Sequence, residues 1–197
     1  AITFLLSLYL QYVRGLDPQT AGLVLLAQPS MMFVFSPMAG RLSDRVEPRL
    51  VASTGMAITT AGLVLLASIN DSSSLQYVIV SLVITGFGFA LFSSPNTNAV
   101  MSSVERRFMG VASATLGCMR SVGQSLSMGI ATLIIAVYVG GVQITPQHHA
   151  TFSSAIRLAF GIFAVLCLVG VFSSLARGKL RGRAAAESLE APVADRR

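Results

Sequence analysis

Long apolar runs separated by short polar turns make up most of this sequence. Two clear runs, Ala21–Gly40 and Leu50–Ile69, contain no Asp, Glu, Lys or Arg. Each has about the length of a helix that crosses a hydrocarbon core of roughly 30 Å at 1.5 Å per residue. Uncharged runs of similar length recur along the chain, so the pattern predicts an all-α polytopic membrane protein.

Six helical segments follow from these runs. The first is too short to span, so we expect its beginning, and a missing amino-terminal half of the same chain, upstream of Ala1. The second carries Pro29 and Pro37, each of which removes a backbone donor and should bend the helix. The predicted segments are Ala1–Val13, Gln19–Leu42, Arg49–Ile69, Leu75–Ser103, Met109–Val139 and Ser153–Ala176. Residues 1–176 are thus one predicted six-helix bundle with a truncated first helix. Residues 177–197 are predicted to be a cytoplasmic tail, first basic and then disordered.

Composition supports a membrane location. The chain is 53% hydrophobic and 11% charged, with a mean hydropathy of +0.72, whereas soluble domains are about 25% charged. The net charge of +6 comes from loops and tail, which is a topology signal and does not indicate a nucleic acid partner. Cys118 and Cys167 lie in apolar runs, so no disulfide or metal site is predicted. The expected surroundings are a lipid bilayer, and no cofactor is expected.

Basic residues alternate between the turns. The turn after the second segment holds Arg41, Arg45 and Arg49, and the turn after the fourth holds Arg106 and Arg107, whereas the other turns together hold a single arginine. By the positive-inside rule, the loops after helices two and four and the carboxy-terminal tail face the cytoplasm. We therefore expect a multi-pass protein of the plasma (inner) membrane in this orientation.

Several motifs carry a family resemblance. Gly40-Arg41-Leu42-Ser43-Asp44-Arg45, between the second and third helices, resembles the signature loop of the major facilitator superfamily. Further stretches are similar to its fourteen-helix drug:proton antiporter branch: Tyr9-Leu10-Gln11, Ser36-Pro37-Met38-Ala39-Gly40, Ser93-Ser94-Pro95-Asn96-Thr97-Asn98-Ala99 and Met119-Arg120. The similarity covers roughly residues 1–179 and implies the carboxy-terminal six-helix half. The chain departs from the family loop at Glu47-Pro48-Arg49, where Gly and basic residues are usual.

The charged turn is a candidate cytoplasmic latch made of Gly40, Arg41, Asp44 and Arg45. Asp44 can lie near the amino end of the third helix, where the helix dipole favours an anion by roughly 0.3–1 kcal/mol. The neighbouring arginines can pair with Asp44 or with lipid phosphates. The alternative is an ordinary positively charged hinge without a gating role.

Arg120 is the strongest candidate for a functional residue. It lies about eleven residues, or roughly 16 Å, into the fifth segment and therefore near the middle of the hydrocarbon. A charge there costs several kcal/mol unless it faces protein, water or a partner. Gln124 and Ser127 continue a polar stripe from it. Arg120 either belongs to a transport path or is a structural arginine bonded to carbonyls freed near Pro95.

The resemblance implies that the first and fourth helices of the bundle line a central cavity. Aromatic rings near amides suit large amphipathic cations. The candidate cavity residues are Ser7, Tyr9, Gln11, Phe89, Phe92, Asn96, Arg120 and Gln124. The alternative for the aromatics is a position facing lipid or packed in the bundle. Small residues on the fifth segment, at spacings of three or four, predict close helix packing; they are Gly110, Ala114, Gly117, Ser121, Ser125 and Gly129.

The resemblance implies a secondary active transporter that exports drugs or amphipathic compounds by alternating access, coupled to protons. No Asp or Glu lies inside a predicted span, so we expect the proton site mostly in the missing half. Hydrolase motifs are absent, and no enzymatic activity is predicted. Two alternatives stay open: a facilitator of another cargo, such as a metabolite or siderophore, and a non-transporting membrane scaffold or receptor.

Overall fold

The computed structural model describes residues 1–139 and 149–176. Its α-helices are α1 (Ile2–Leu8), α2 (Pro18–Leu25), α3 (Ala27–Arg45), α4 (Pro48–Ala67), α5 (Leu75–Ser102), α6 (Met109–Val139) and α7 (His149–Ala176). A π-helix covers Tyr9–Val13 and a 3₁₀ turn covers Arg106–Phe108. The predicted tail and the loop before α7 lie outside the described residues. Within the described helices and their connections, the structure does not describe the side chains of Asp44, Pro48, Arg49, Val139, His149, Ala150, Leu175 and Ala176.

Five helical stretches are long and apolar enough to cross a membrane. They are Pro18–Ser43, Leu50–Ala67, Leu75–Ser102, Arg106–Tyr138 and Thr151–Ser174, and a shorter apolar helix, Ile2–Val13, precedes them. The described residues contain no strand. The predicted class, an all-α polytopic membrane protein, is confirmed. The bounds predicted for the fifth segment agree with α6, whereas α7 begins four residues before the predicted Ser153.

The second predicted segment is divided into two helices. The first, α2, starts on a cap in which Thr20 N–H donates to the Asp17 carboxylate at 3.0 Å. Hydrogen bonding from the Thr20 side chain, and then from its backbone N–H, holds the pKa of the exposed Asp17 carboxyl below its usual value. α2 then ends before Leu26 and α3 begins at Ala27. Pro29 explains the break, because its ring has no N–H to donate and clashes with the carbonyl four residues earlier. At Pro37 the helix continues.

The charged turn is shorter than predicted. Helix α3 continues through the motif to Arg45, three residues beyond the predicted end at Leu42, and α4 begins at Pro48, so the predicted loop between these helices is wrong in its bounds. Good helix formers such as Ala, Leu and Arg carry α3 through the motif. Pro48 at the first position of α4 holds Glu47 in a non-helical conformation, with ψ of 121°. Only Val46 and Glu47 separate the two helices.

The first segment changes helix type, which its sequence did not indicate. After α1, the backbone N–H of Arg14 donates to Tyr9 O at 3.1 Å, closing the wider turn of a π-helix. Gly15 follows with φ of 65°, a left-handed conformation that glycine adopts without a steric penalty. The segment therefore ends in a sharp turn before α2.

Close backbone contacts fix the centre of the bundle. A Cβ atom added to Gly88 of α5 would lie 2.6 Å from Thr59 N and 2.7 Å from Gly55 O of α4. A Cβ on Gly62 would lie 2.5 Å from Thr85 Oγ1. Small residues at these positions let α4 and α5 pack antiparallel with their backbones in contact.

The small-residue stripe on α6 behaves differently from the expectation. Cβ atoms added to Gly110, Gly117 and Gly129 would meet nothing within 4 Å among the described residues. Most of the α6 surface, including this stripe, is exposed. Within the described chain, close packing therefore involves the glycines of α4 and α5, and the predicted packing on the α6 stripe is not formed there.

The two ends of the bundle differ in charge. α3 and α5 run parallel, since Gly86 lies against Gln28 and Gly40 against Ser94. Their carboxyl ends and the 3₁₀ turn form one end, which we call the basic end; it carries Arg41, Arg45, Arg106 and Arg107. The opposite end carries the connection between α4 and α5, and we call it the Asn70 end.

Hydrogen bonds tie three parts of the chain together at the Asn70 end. Tyr9 Oη donates to the backbone carbonyl of Asn70 at 2.7 Å. Arg157 Nη1 of α7 donates to Asn70 Oδ1 at 3.3 Å, and Ser153 Oγ bonds to Asp71 Oδ1. The first segment, the α4–α5 connection and the start of α7 are thus held as one unit.

Candidate functional site

One cavity opens between the first segment and helices α3 to α7. Its volume is about 580 Å³, within the range of about 300–1,000 Å³ typical of small-molecule sites. The polar side chains that line it are Thr3, Gln28, Thr59, Ser93, Asn96, Arg120, Gln124, Ser127 and Cys167. The apolar ones are Ala1, Ile2, Leu63, Phe89, Phe92, Leu116 and Phe163, together with Gly123. The cavity therefore combines an apolar wall with hydrogen-bonding groups.

Helix α5 supplies the aromatic wall. The rings of Phe89 and Phe92 meet edge to face, with centroids 6.3 Å apart and an interplanar angle of 78°. Asn96 follows one turn after Phe92 on the same side of the helix. Between them, Pro95 leaves a backbone carbonyl without its helical donor, which membrane helices tolerate where other groups replace the lost bond. An aromatic pair and an amide thus face the same space.

Helix α6 supplies the charge. Arg120, Gln124 and Ser127 lie on one stripe of α6, and all three line the cavity. Ser127 Oγ donates to its own helix at Gln124 O, 2.9 Å away. Among the described residues, no hydrogen bond or ion pair involves Arg120, and its side chain is exposed to the cavity. In the described part of the chain, Arg120 is therefore not hydrogen-bonded to the α5 carbonyls near Pro95.

Five of the eight candidate cavity residues come together: Phe89, Phe92, Asn96, Arg120 and Gln124 all line this cavity. The other three do not line it. Tyr9 is fully buried among Leu5, Leu6 and Leu10 and bonds to Asn70. Gln11 Nε2 donates to Ser7 Oγ at 2.8 Å, and both are half-buried nearer the Asn70 end. In the structure, the first segment reaches the cavity through Ala1, Ile2 and Thr3.

Six polar lining residues are not among the candidate cavity residues: Thr3, Gln28, Thr59, Ser93, Ser127 and Cys167. Two of them show what the sequence could and could not indicate. Gln28 lies on α3 next to the proline break, and Thr59 lies on α4, where its Oγ1 donates to Gly55 O at 2.9 Å. Gln28 could have been identified from the sequence, because an amide side chain inside an uncharged membrane span has a high free-energy cost unless it faces a polar partner or cavity. Thr59 gives no such signal, since threonine satisfies its hydroxyl within its own helix.

The candidate latch residues occupy the last two turns of α3. A Cβ on Gly40 would lie 3.1 Å from Ser94 Oγ of α5, so Gly40 permits a close approach there. Arg41 and Arg45 are exposed, and the side chain of Asp44 lies outside the description. At the same end, Arg107 Nε lies 2.8 Å from Glu105 Oε2.

The chain matches known transporters. The family model of the Major Facilitator Superfamily matches residues 1–195. The riboflavin transporter RibZ of Clostridioides difficile is 29% identical over 171 residues, 87% of this chain and 38% of that protein. The tetracenomycin C resistance and export protein of Streptomyces glaucescens is 29% identical over 71% of this chain and 26% of its own length. The multidrug resistance protein Stp of Mycobacterium tuberculosis is 29% identical over 66% of this chain and 24% of its own length.

The chain spans less than two fifths of the length of these relatives. The family model nevertheless matches nearly all of its residues. The resemblance inferred from the signature motif and from Met119-Arg120 is therefore confirmed, and the chain belongs to the Major Facilitator Superfamily.

Proposed function

We propose that this chain forms one wall of the substrate path in a secondary active transporter that exports drugs or other amphipathic compounds by alternating access. The observation that carries the proposal is the convergence of Phe89, Phe92, Asn96, Gln124 and Arg120 on one cavity. A charge near the middle of a span is expensive unless it faces water or a partner, and such residues mark substrate or ion paths.

The chemistry of the wall narrows the substrate class. Phe89 and Phe92 offer a surface for a planar aromatic body. Among the described lining residues, Arg120 is the charged group, and the other polar groups are amides, hydroxyls and a thiol. A neutral or acidic polar substituent would gain hydrogen bonds from this wall. The wall therefore favours neutral or anionic amphipathic compounds over the large cations expected from the aromatic residues.

Proton coupling is part of the proposal and is assigned to the rest of the protein. The described spans contain no Asp or Glu, and carboxylates are the usual proton carriers within membranes. The small-residue stripe on α6 is exposed here, and small residues favour close approach between membrane helices. We propose that further helices of the same chain cover this stripe and carry the proton site.

The basic end is proposed to face the cytoplasm, in the plasma (inner) membrane. Four arginines of this end flank the carboxyl ends of α3 and α5, as the positive-inside rule requires of a cytoplasmic side. Gly40, Arg41, Asp44 and Arg45 would form a latch at this surface, between α3 and α4, that breaks as the transporter changes access. The close approach of Gly40 to Ser94 of α5 supports a packed position for this end of α3.

A second cargo class has specific support. The relative with 87% coverage of this chain is described as a riboflavin transporter, and riboflavin is neither a drug nor a cation. A neutral aromatic metabolite suits the same Phe89–Phe92 wall and amides. A facilitator of a metabolite or a siderophore is therefore the alternative cargo assignment.

The test is an accumulation assay on the full-length transporter. Cells that lack their main efflux systems and express the transporter are loaded with amphipathic fluorescent compounds. The rate of efflux is then compared with and without a protonophore. We expect efflux that the protonophore stops, and we expect Phe92→Ala to reduce it. Phe33→Ala is the matched control, because Phe33 is 83% exposed and does not line the cavity. Efflux that is insensitive to both the protonophore and Phe92→Ala would refute the proposal.

A further inference from the structure

A second concave surface lies between α6 and α7 near the Asn70 end. Its volume is about 770 Å³. We call it the α7 groove, and its lining residues are Ala67, Tyr138, Ser154, Arg157, Leu158, Gly161, Ile162, Val165 and Leu166. None of these residues lines the cavity around Arg120. The groove is therefore a separate feature of the fold.

The two ends of the groove differ in chemistry. Arg157 and Tyr138 lie at one end, and beyond Arg157 the α7 residues of the groove are apolar or glycine. A Cβ added to Gly161 would meet nothing within 4 Å, so this position forms an open notch in the helix surface. From Arg157 to Leu166 the groove extends nine residues, or about 14 Å along the helix. That is about half of a hydrocarbon core of roughly 30 Å, and so about one leaflet.

The surface of α7 around the groove has the character of a lipid-facing surface. Between Leu158 and Phe172, every exposed side chain of α7 is a large apolar one: Leu158, Val165, Leu166, Leu168, Val169 and Phe172. A helix that packs on another membrane helix usually presents small residues, as the exposed stripe on α6 does. A surface of large apolar side chains within a membrane span suits contact with acyl chains, which are as apolar as leucine.

Arg157 supplies a charge at headgroup depth. It lies six residues, or about 9 Å, inside the span that starts at Thr151, and a long arginine side chain reaches the interface from there. Tyr138 ends the neighbouring span, where aromatic residues mark the membrane surface. Among the described residues, Arg157 has one hydrogen-bond partner, Asn70 Oδ1. A guanidinium has five N–H donors, and arginine binds phosphate through two parallel bonds.

We propose that the α7 groove is a binding site for one glycerophospholipid, with the phosphate on Arg157 and an acyl chain along Gly161, Ile162 and Val165. The charge of Arg157 complements the phosphate, and the apolar length of the groove matches one leaflet. The bond from Arg157 to Asn70 connects the bound lipid to the hydrogen bonds that hold α7, the α4–α5 connection and Tyr9 together.

Photo-crosslinking of the full-length wild-type transporter tests this site without any variant. The protein is reconstituted with phosphatidylglycerol that carries a diazirine at the middle of one acyl chain. The expected result is that labelled peptides are concentrated in α7 around Ile162 and Val165. Labelling spread evenly over all exposed apolar positions, including Phe33 and Phe172, would overturn the proposal.

Native mass spectrometry of variants tests the two parts of the site separately. Arg157→Gln removes the charge and Gly161→Leu fills the notch, and we expect each to weaken retention of phosphatidylglycerol by about fivefold or more. Arg107→Gln is the control for loss of one arginine, since Arg107 is at the basic end and outside the groove. Retention that is equal in all four proteins would refute a specific site. A variant that fails to fold leaves the crosslinking result as the deciding measurement.

Discussion

Gly88→Ala is a direct test of the packing that supports the cavity. A Cβ at this position would lie 2.6 Å from Thr59 N and 2.7 Å from Gly55 O. Ordinary van der Waals contact begins near 3.4 Å, so α4 and α5 must separate by about 0.8 Å. Since the atoms in the way belong to the α4 backbone, no side-chain rotation removes the clash. Overpacking of this kind costs about 1–3 kcal/mol.

The matched control is Gly22→Ala. A Cβ on Gly22 would meet nothing within 4 Å, and both substitutions gain the same helix propensity, about 0.5–1 kcal/mol. The difference between the two variants therefore isolates the contact between α4 and α5. We expect Gly88→Ala to unfold at a lower temperature than both the wild type and Gly22→Ala when the full-length protein is heated in detergent.

The same change should reach the cavity. Thr59 lies directly against Gly88 and also lines the cavity. Phe92 lines the cavity too, and its backbone N would lie 2.6 Å from a Cβ added to Gly55. Transport by Gly88→Ala should fall along with its stability. Gly55→Ala combined with Gly88→Ala should cost less than the sum of the single changes, because both separate the same pair of helices. Equal unfolding temperatures for Gly88→Ala and Gly22→Ala would show that the α4 backbone does not lie as close to Gly88 as the structure has it.

Two further outcomes are expected. Tyr9→Phe removes the hydrogen bond to the Asn70 carbonyl and should lower the free energy of unfolding by about 1 kcal/mol. Tyr12→Phe is the control, because the Tyr12 side chain is exposed, and it should leave the free energy of unfolding unchanged. Equal effects of the two substitutions would exclude the assigned hydrogen bond. Cysteine placed at Arg107 should react with an impermeant thiol reagent only from the cytoplasm, and cysteine at Ser72 only from outside. The reverse pattern would overturn the proposed orientation.

The helices themselves could be predicted because hydrophobicity and breakers are local properties. The uncharged runs indicated the spans, and α2 begins one residue before the predicted Gln19. Pro29 was predicted to bend the second segment, and the helix breaks between α2 and α3 just before it. The extent of α3 was missed because a run of charges was interpreted as a loop. Charged residues with good helix propensity continue a helix to the membrane surface as readily as they form a turn.

Tertiary packing was harder to predict than the helices. Glycine spacing on α6 indicated a surface suited to close packing, but the spacing does not identify the partner, and the described contacts are made by Gly55, Gly62 and Gly88 instead. The position of Tyr9 was missed for a similar reason. A tyrosine on an apolar helix can line a cavity or bury its ring while its hydroxyl finds a carbonyl, and only the position of Asn70 decides between these.

Within the cavity, the sequence was most informative where a polar group lies inside a span. Arg120 was identified by the cost of its charge in hydrocarbon, and Gln124 by its position on the same helical stripe. Both line the cavity together with Phe89 and Phe92. Hydroxyl groups such as that of Thr59 carry no such cost, because they bond within their own helix. Their contribution to the cavity depends on how the helices are arranged.

Arg120 is proposed to face a substrate path. This placement can be tested by measuring transport of two fluorescent compounds by the full-length protein. The compounds share one aromatic body, and one carries a carboxylate while the other is neutral. For the carboxylate compound, we expect Arg120→Gln to lower kcat/KM by about tenfold or more, and Arg120→Lys to recover part of the loss. The neutral compound should change little, with insertion and expression equal to wild type. Unchanged transport of the carboxylate compound, or equal losses for both compounds, would show that Arg120 does not face the substrate path.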